Sequence, residues 1–186
     1  MLVAKDLQVR AGARLLIDGA SFQIAPGDKV GLVGRNGAGK TTLTKILSGE
    51  GTPAAGSVTR TGDIGYLAQD PRTADPEVLA RNRILSARGL DTALIRLEKA
   101  GMAMASDDEA ERDRAMAAYA RAEAELNAGG GYAAEAEAAR IAANLGLPQR
   151  VLDQPVKTLS GGQRRRVELA RILFSGAETM LLDEPT

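Results

Sequence analysis

The sequence has no cysteine and no histidine. The first absence excludes disulfides and thiolate chemistry. The second removes the commonest general base and metal ligand, so acid–base work falls to carboxylates, lysine or tyrosine. Charge of one sign is missing too: 24 basic and 24 acidic side chains give a formal net charge of zero. No overall positive field therefore draws the chain to nucleic acid or anionic lipid, and any such contact must be local. No apolar run approaches the length of a membrane span, and the N-terminal MLVAKDLQVR is too polar for a signal peptide. The expectation is a soluble, cytoplasmic protein. What is present is 44% apolar residues in 186, enough for the core of one ordinary domain.

Residues 1–33 read as β-rich. LVAKDLQV roughly alternates, ASFQI repeats the pattern after Asp18-Gly19, and KVGLVG is a short apolar strand after the turn Pro26-Gly27-Asp28. TTLTKILSG reads as a helix with Gly49 as its C-cap, and SVTR and IGYLAQ as two strands around Thr61-Gly62-Asp63. The texture changes after Asp70. Asp75-Pro76 marks a helix start, Gly89 ends that helix, and Asp91 opens another running to about Gly101. Ser106-Asp107-Asp108-Glu109 fits a capping box, so a long helix is expected from Ser106 to the break at 129–131, with one more from about Tyr132 to Asn144. Residues 75–147 thus form an all-helical insert in an α/β chain. The longest helix offers Met116, Tyr119 and Leu126 as a thin apolar stripe, enough for one narrow seam. From Asp91 to Arg140 there are 11 acidic and 6 basic residues, a net of −5. On residues alone this is a solvated surface hairpin or a binding arm.

Gly34-Arg35-Asn36-Gly37-Ala38-Gly39-Lys40-Thr41 matches G-x-x-x-x-G-K-[ST] between an expected strand and an expected helix. Glycines let backbone N–H groups curl around phosphate oxygens, and the helix adds the positive end of its dipole. Lys40 is a point charge for the β- and γ-phosphates, and the Thr41 hydroxyl is a ligand for Mg²⁺; Thr42 follows on the same first turn. TMLLDE supplies the other half: an apolar strand delivers Asp183 toward the metal, and Glu184 can accept a proton from an attacking water. In LSGGQ, Ser160 precedes an expected helix whose first turn, Gly161-Gly162-Gln163, exposes N–H donors suited to a γ-phosphate. Gln69 closes the strand IGYLAQ. A chance glycine loop, an acidic strand end or an ordinary Ser cap would each account for one string, but not for all in this order.

Together these strings resemble the nucleotide-binding domain of an ABC ATPase: GRNGAGKT as Walker A, Gln69 as Q-loop, LSGGQ as signature and TMLLDE as Walker B. The resemblance implies a P-loop NTPase core of α/β class with an N-terminal antiparallel β-subdomain and an inserted α-helical subdomain. By residue range it implies a β-subdomain and Walker A part at 1–74, a helical subdomain with an arm-like insertion at 75–158, and a signature helix and Walker B strand returning to the core at 159–186. It implies ATP and Mg²⁺ as cofactors, bound by Gly34, Asn36, Gly37, Ala38, Gly39, Lys40, Thr41 and Thr42, with Thr41, Gln69 and Asp183 at the metal. Glu184 and Gln69 are the implied catalytic pair. Ser160, Gly161, Gly162 and Gln163 complete the site of a second ABC domain, in the same longer chain or a dimer.

The long helical stretch and the continuation LSGGQRRRVELARIL resemble the ABC-F branch, whose members mostly act on ribosomes. A membrane-transporter subunit is the alternative, and an inert ATP-binding fragment a third. Two departures stand out. An aromatic residue that stacks adenine is usual at the position held by Ala11. The family's continuation after DEPT, with a central strand and a switch histidine, is not in the sequence, so the expected fold is truncated at its C-terminal side and the 186 residues alone are expected to be inactive.

Overall fold

The computed structural model describes residues 1–69 and 75–183, apart from the side chain at position 132. The chain divides into two compact units, Met1–Pro71 with Gly176–Thr186 and Arg72–Ser175.

The first unit contains β1 (Leu2–Ala11), β2 (Arg14–Ile24), α1 (Lys40–Ser48), β3 (Ala55–Arg60), β4 (Ile64–Leu67) and β5 (Thr179–Leu182). β1 lies between β2 and β3, antiparallel to both. Its alternation changes phase midway: Leu2 and Ala4 are buried, then Leu7 and Val9. A bulge at Asp6, whose φ is +47°, absorbs the extra residue and keeps both pairs on the core face. Against that face α1 lays Leu43, Ile46 and Leu47, an i, i+3, i+4 stripe. Its last turn is closed twice. Gly49 donates to Lys45 and Ile46, and Arg60 reaches over from β3 to the carbonyls of Ile46 and Leu47.

β4 and β5 form a separate parallel pair, Ile64 opposite Thr179 through Leu67 opposite Leu182. The expected strand KVGLVG is not formed. Residues 28–35 carry no regular structure, and Val30, Leu32 and Val33 are 66%, 49% and 90% exposed. A strand exists through its ladder, and no neighbour among the described residues pairs with this segment. β5 is likewise apolar without being fully covered: Leu181 packs into the core while Met180 and Leu182 face outward.

The second unit is helical: α2 (Ala80–Leu85), α3 (Leu90–Ala103), α4 (Glu109–Ala128), α5 (Gly131–Asn144), α6 (Gln149–Leu152) and α7 (Gly161–Ser175). Phe174 is completely buried at its centre, with Ile84 from α2, Ala138 and Ala142 from α5, and Val167 and Ala170 from α7. The signature helix α7 therefore belongs to the helical unit rather than to the returning core segment expected at 159–186.

Three local expectations shift. Asp75 accepts from Glu77 N as a turn-former would, but residues 76–78 form a turn and Leu79 a single bridge to Pro155, with Lys157 N on Pro76 O and Val156 N on Val78 O, so α2 starts only at Ala80. The cap of α4 is Asp108, accepting from Ala110 N, and Ser106 instead makes the preceding turn by accepting from Asp108 N. The α3–α4 hairpin is sealed by alanines: Ala93 and Ala100 on one helix, and Ala115, Ala122 and Leu126 on the other are buried, whereas Met116 is 56% exposed.

Candidate functional site

The loop from Gly34 to Gly39 turns on left-handed glycines, Gly37 at φ +77° and Gly39 at φ +101°, which a side chain would resist. Ala38 N donates to Arg35 O at 3.1 Å, tightening the bend. Gly39 is the N-cap of α1 and brings no capping side chain, and the first turn holds no acidic residue. The helix therefore begins with backbone donors and a positive dipole end that no carboxylate of its own turn offsets. Lys40 Nζ lies across the loop, donating to Gly34 O at 2.8 Å and Arg35 O at 3.2 Å. Its partners are neutral carbonyls, so its charge remains available to an anion.

These elements line one cleft of about 490 Å³. Asn36, Gly37, Gly39, Lys40, Thr41 and Thr42 line it together with Gln69. Gln69 follows β4 and Asp183 follows β5. Because the two strands are parallel, both residues emerge at the same carboxyl edge, where α/β sheets commonly hold ligands. Asp183 N donates to Leu67 O at 3.0 Å, and Asp183 is only 5% exposed. It does not itself line the cleft. Gly34 and Ala38 also contribute to the loop without lining the cleft; a Cβ added to Gly34 would lie 3.5 Å from that of Ala38. Beside Asp183, burial pushes the Tyr66 hydroxyl above its ordinary pKa, with the carboxylates of Asp183 and Glu50 adding to the shift. The expected general base, Glu184, lies outside the described residues.

Ser160 to Gln163 sit in the helical unit. Ser160 Oγ accepts from Gln163 N at 3.2 Å while Gln163 Oε1 accepts from Ser160 N at 2.9 Å, a reciprocal capping box at the start of α7. The Ser160 oxygen thus accepts from its own helix, while its O–H remains a donor. The positions where side chains on Gly161 and Gly162 would stand are open space. Of the three arginines that follow, Arg166 binds the carbonyls of Leu145 and Gly146, closing the loop after α5.

Two cleft residues escaped sequence reasoning, Arg14 and Leu16. Both lie on β2, a strand that reads as scaffold, and only the hairpin register carries them to the loop.

A family model described as ABC transporter matches residues 17–186. The chain belongs to the ABC ATPase family. Among curated relatives, this ABC domain is 42% identical over 178 residues to the tylosin resistance ATP-binding protein TlrC of Streptomyces fradiae, covering 93% of this chain and 32% of that protein. It is 36% identical over 182 residues to ATP-binding cassette sub-family F member 3 of Homo sapiens, covering 98% and 25%. It thus resembles ABC-F members, and spans a third or less of their length. The fold is that of solved ABC cassettes: it matches an ATP-binding subunit of an ABC transporter with a TM-score of 0.68 at 20% identity, over 99% of this chain and 66% of that one. A bacterial ABC transporter cassette solved as a dimer gives 0.65 at 20% identity, over 100% and 75%.

Proposed function

We propose that this domain supplies one ATP site of a longer ABC-F-type protein that binds and hydrolyses Mg-ATP as a mechanical switch. The observation that carries the reading is the cleft that gathers Asn36, Gly37 and Gly39 to Thr42 with Gln69 around a lysine with no carboxylate partner among the described residues. The loop amides and Lys40 hold the β- and γ-phosphates. The Thr41 hydroxyl, the Gln69 amide oxygen and the Asp183 carboxylate are hard oxygen donors. Among the described residues no three acidic or histidine side chains form a metal cage. That set suits Mg²⁺, which takes one or two protein carboxylates and completes its shell with other oxygens, phosphate and water. The ion would neutralise charge building on the phosphates.

Gln69 orients the attacking water and Glu184 takes its proton. The new bond forms between the water oxygen and the γ-phosphorus as the bond from phosphorus to the β-bridging oxygen breaks. Ser160 to Gln163 present the α7 amide end to the γ-phosphate of a second ABC domain's nucleotide, so ATP joins two domains. The ribosome as partner is supported by the likeness to sub-family F and to a resistance protein, and by a helical hairpin of 14 and 20 residues. No helix among the described residues is long and apolar enough to cross a membrane.

In the full-length protein Glu184→Gln should keep ATP binding and lose phosphate release by about 100-fold or more, since an amide cannot take the proton. Co-sedimentation of that variant with ribosomes should increase with ATP. Unchanged turnover would remove Glu184 as the base, and ATP-independent absence from ribosomes would remove the proposed partner.

A further inference from the structure

The base end of the cleft lacks the group that would hold a nucleobase. The whole chain has three tyrosines, two phenylalanines and no tryptophan, and no aromatic side chain is among the residues described as lining the cleft. What lies there instead is the tip of the β1–β2 hairpin. Ala11 and Arg14 are direct cross-strand partners, so their side chains leave the same face of the ribbon. Leu16 lies two residues along β2, at the irregularity where Val9 pairs with Ile17 and Arg10 with Leu15. All three line the cleft.

Leu16 fixes the position of the hairpin against the phosphate loop. A Cβ on Gly39 would stand 3.0 Å from Leu16 Cδ1, so the leucine packs on the loop's backbone. At roughly 3.4 Å per residue, Arg14 stands about 7 Å farther along the strand, away from the helix end that receives the terminal phosphates. Arg14 is exposed and pairs with no carboxylate among the described residues. The methyl group of Ala11 opposite leaves the space over its stem open. A guanidinium is planar, weakly hydrated and stacks on π-faces, which an ammonium does not reproduce.

We propose that Arg14, presented opposite Ala11, is the stacking platform for the nucleobase, and that this site takes purine nucleoside triphosphates with little preference between adenine and guanine. Every base has a π-face, so stacking alone does not discriminate. The neighbours at this end, Ala11 and Leu16, carry no side-chain polar atom to read a base edge. The proposal rests on the nucleotide-site reading above.

The test measures binding of Mg-ATP, Mg-GTP and inorganic tripolyphosphate to the full-length protein by calorimetry, with Lys40→Ala defining the contribution of this site. Wild type should bind ATP and GTP within about threefold of each other. Arg14→Ala should weaken both nucleotides by about 3- to 30-fold, the range of a cation–π contact, and leave tripolyphosphate unchanged. Arg14→Lys should behave like Arg14→Ala, because it keeps the charge and loses the plane. Ala11→Tyr in the Arg14→Ala background should restore nucleotide affinity. Weakened tripolyphosphate binding in Arg14→Ala would make Arg14 a phosphate contact and overturn the proposal, as would unchanged nucleotide affinity or an ATP preference above about 30-fold. Tripolyphosphate and ATP affinities indifferent to Lys40→Ala would instead overturn the nucleotide-site reading itself.

Discussion

Glu168 is the most consequential charge outside the cleft, and its removal tests how the signature helix is held. It is a glutamate on α7 whose side chain is only 4% exposed. Oε1 accepts from Arg83 Nε at 2.6 Å, and Oε2 accepts from Arg83 Nη2 at 3.0 Å and Arg171 Nε at 2.8 Å. The Arg83 contact ties α2 to α7 across 85 residues of sequence. Glu168→Ala removes all three charge-assisted bonds and leaves two cations facing each other. Breaking a buried pair from one side costs about 3–5 kcal/mol. Arg83 and Arg171 keep 21% and 29% exposure and so retain some water. The lower end applies, about 3 kcal/mol, which is roughly a 100-fold larger opening constant. The chain itself divides into two compact units, so a single melting temperature would blur the effect. Hydrogen exchange of α7 and α2 amides in the full-length protein reads this unit's own opening. Exchange should accelerate by about 100-fold in Glu168→Ala and clearly less in Glu168→Gln, which keeps the shape and one acceptor. Acceleration below about fivefold in Glu168→Ala would show that the triad does not hold α7 and would refute the reasoning.

Gly56 sits opposite the β1 bulge at φ +82°, and a Cβ there would collide with the backbone carbonyls of Lys5 and Asp6. Neither carbonyl can rotate away, so Gly56→Ala should destabilise the β1–β3 pairing by more than about 2 kcal/mol, read as faster amide exchange in β1. Tyr66 predicts an alkaline effect. Its folded pKa lies above the ordinary 10.0 because of burial first and the carboxylates of Asp183 and Glu50 second. The unfolded chain therefore releases this proton before the folded one. The contribution of Tyr66 to stability is complete below pH 10.0 and is lost as pH rises through the higher folded value. Tyr66 Oη has no hydrogen-bond partner among the described residues. Tyr66→Phe should thus lose less stability than wild type between about pH 9.5 and 11 in urea titrations, and an identical decline would contradict the shift.

The parts of this fold that were legible in the sequence are those set by neighbours in the chain. The phosphate loop follows from its glycines and Lys40, α1 from the spacing of Leu43, Ile46 and Leu47 before Gly49, and the start of α7 from Ser160 and Gln163. The misread parts depend on distant partners. Lys29–Gly34 has the composition of a buried strand, yet no described strand pairs with it. Asp75 has the chemistry of a cap, but Pro76 and Val78 give their carbonyls to Lys157 and Val156, and a turn replaces the helix there. Ser106 and Asp108 are both good caps, and two residues decide between them through a local turn. Met116 is apolar but faces outward, while Ala115, Ala122 and Leu126 form the buried side of α4. Within the site, the loop and Gln69 could be named from motifs. Arg14 and Leu16 could not, since a register across the β1–β2 hairpin, rather than a string of residues, carries them to the cleft.

The central claim is that the loop Gly34–Thr41, with Lys40 at its mouth, is a nucleotide site. Isothermal calorimetry of Mg-ATP binding to the full-length protein, wild type against Lys40→Ala, tests it most directly. The lysine's partners are two neutral carbonyls, at 2.8 and 3.2 Å, which leaves its charge to the phosphates. Losing a charge-assisted contact of this kind should weaken binding at this site by about 10- to 100-fold. Equal affinity and equal stoichiometry in the two proteins would contradict the account.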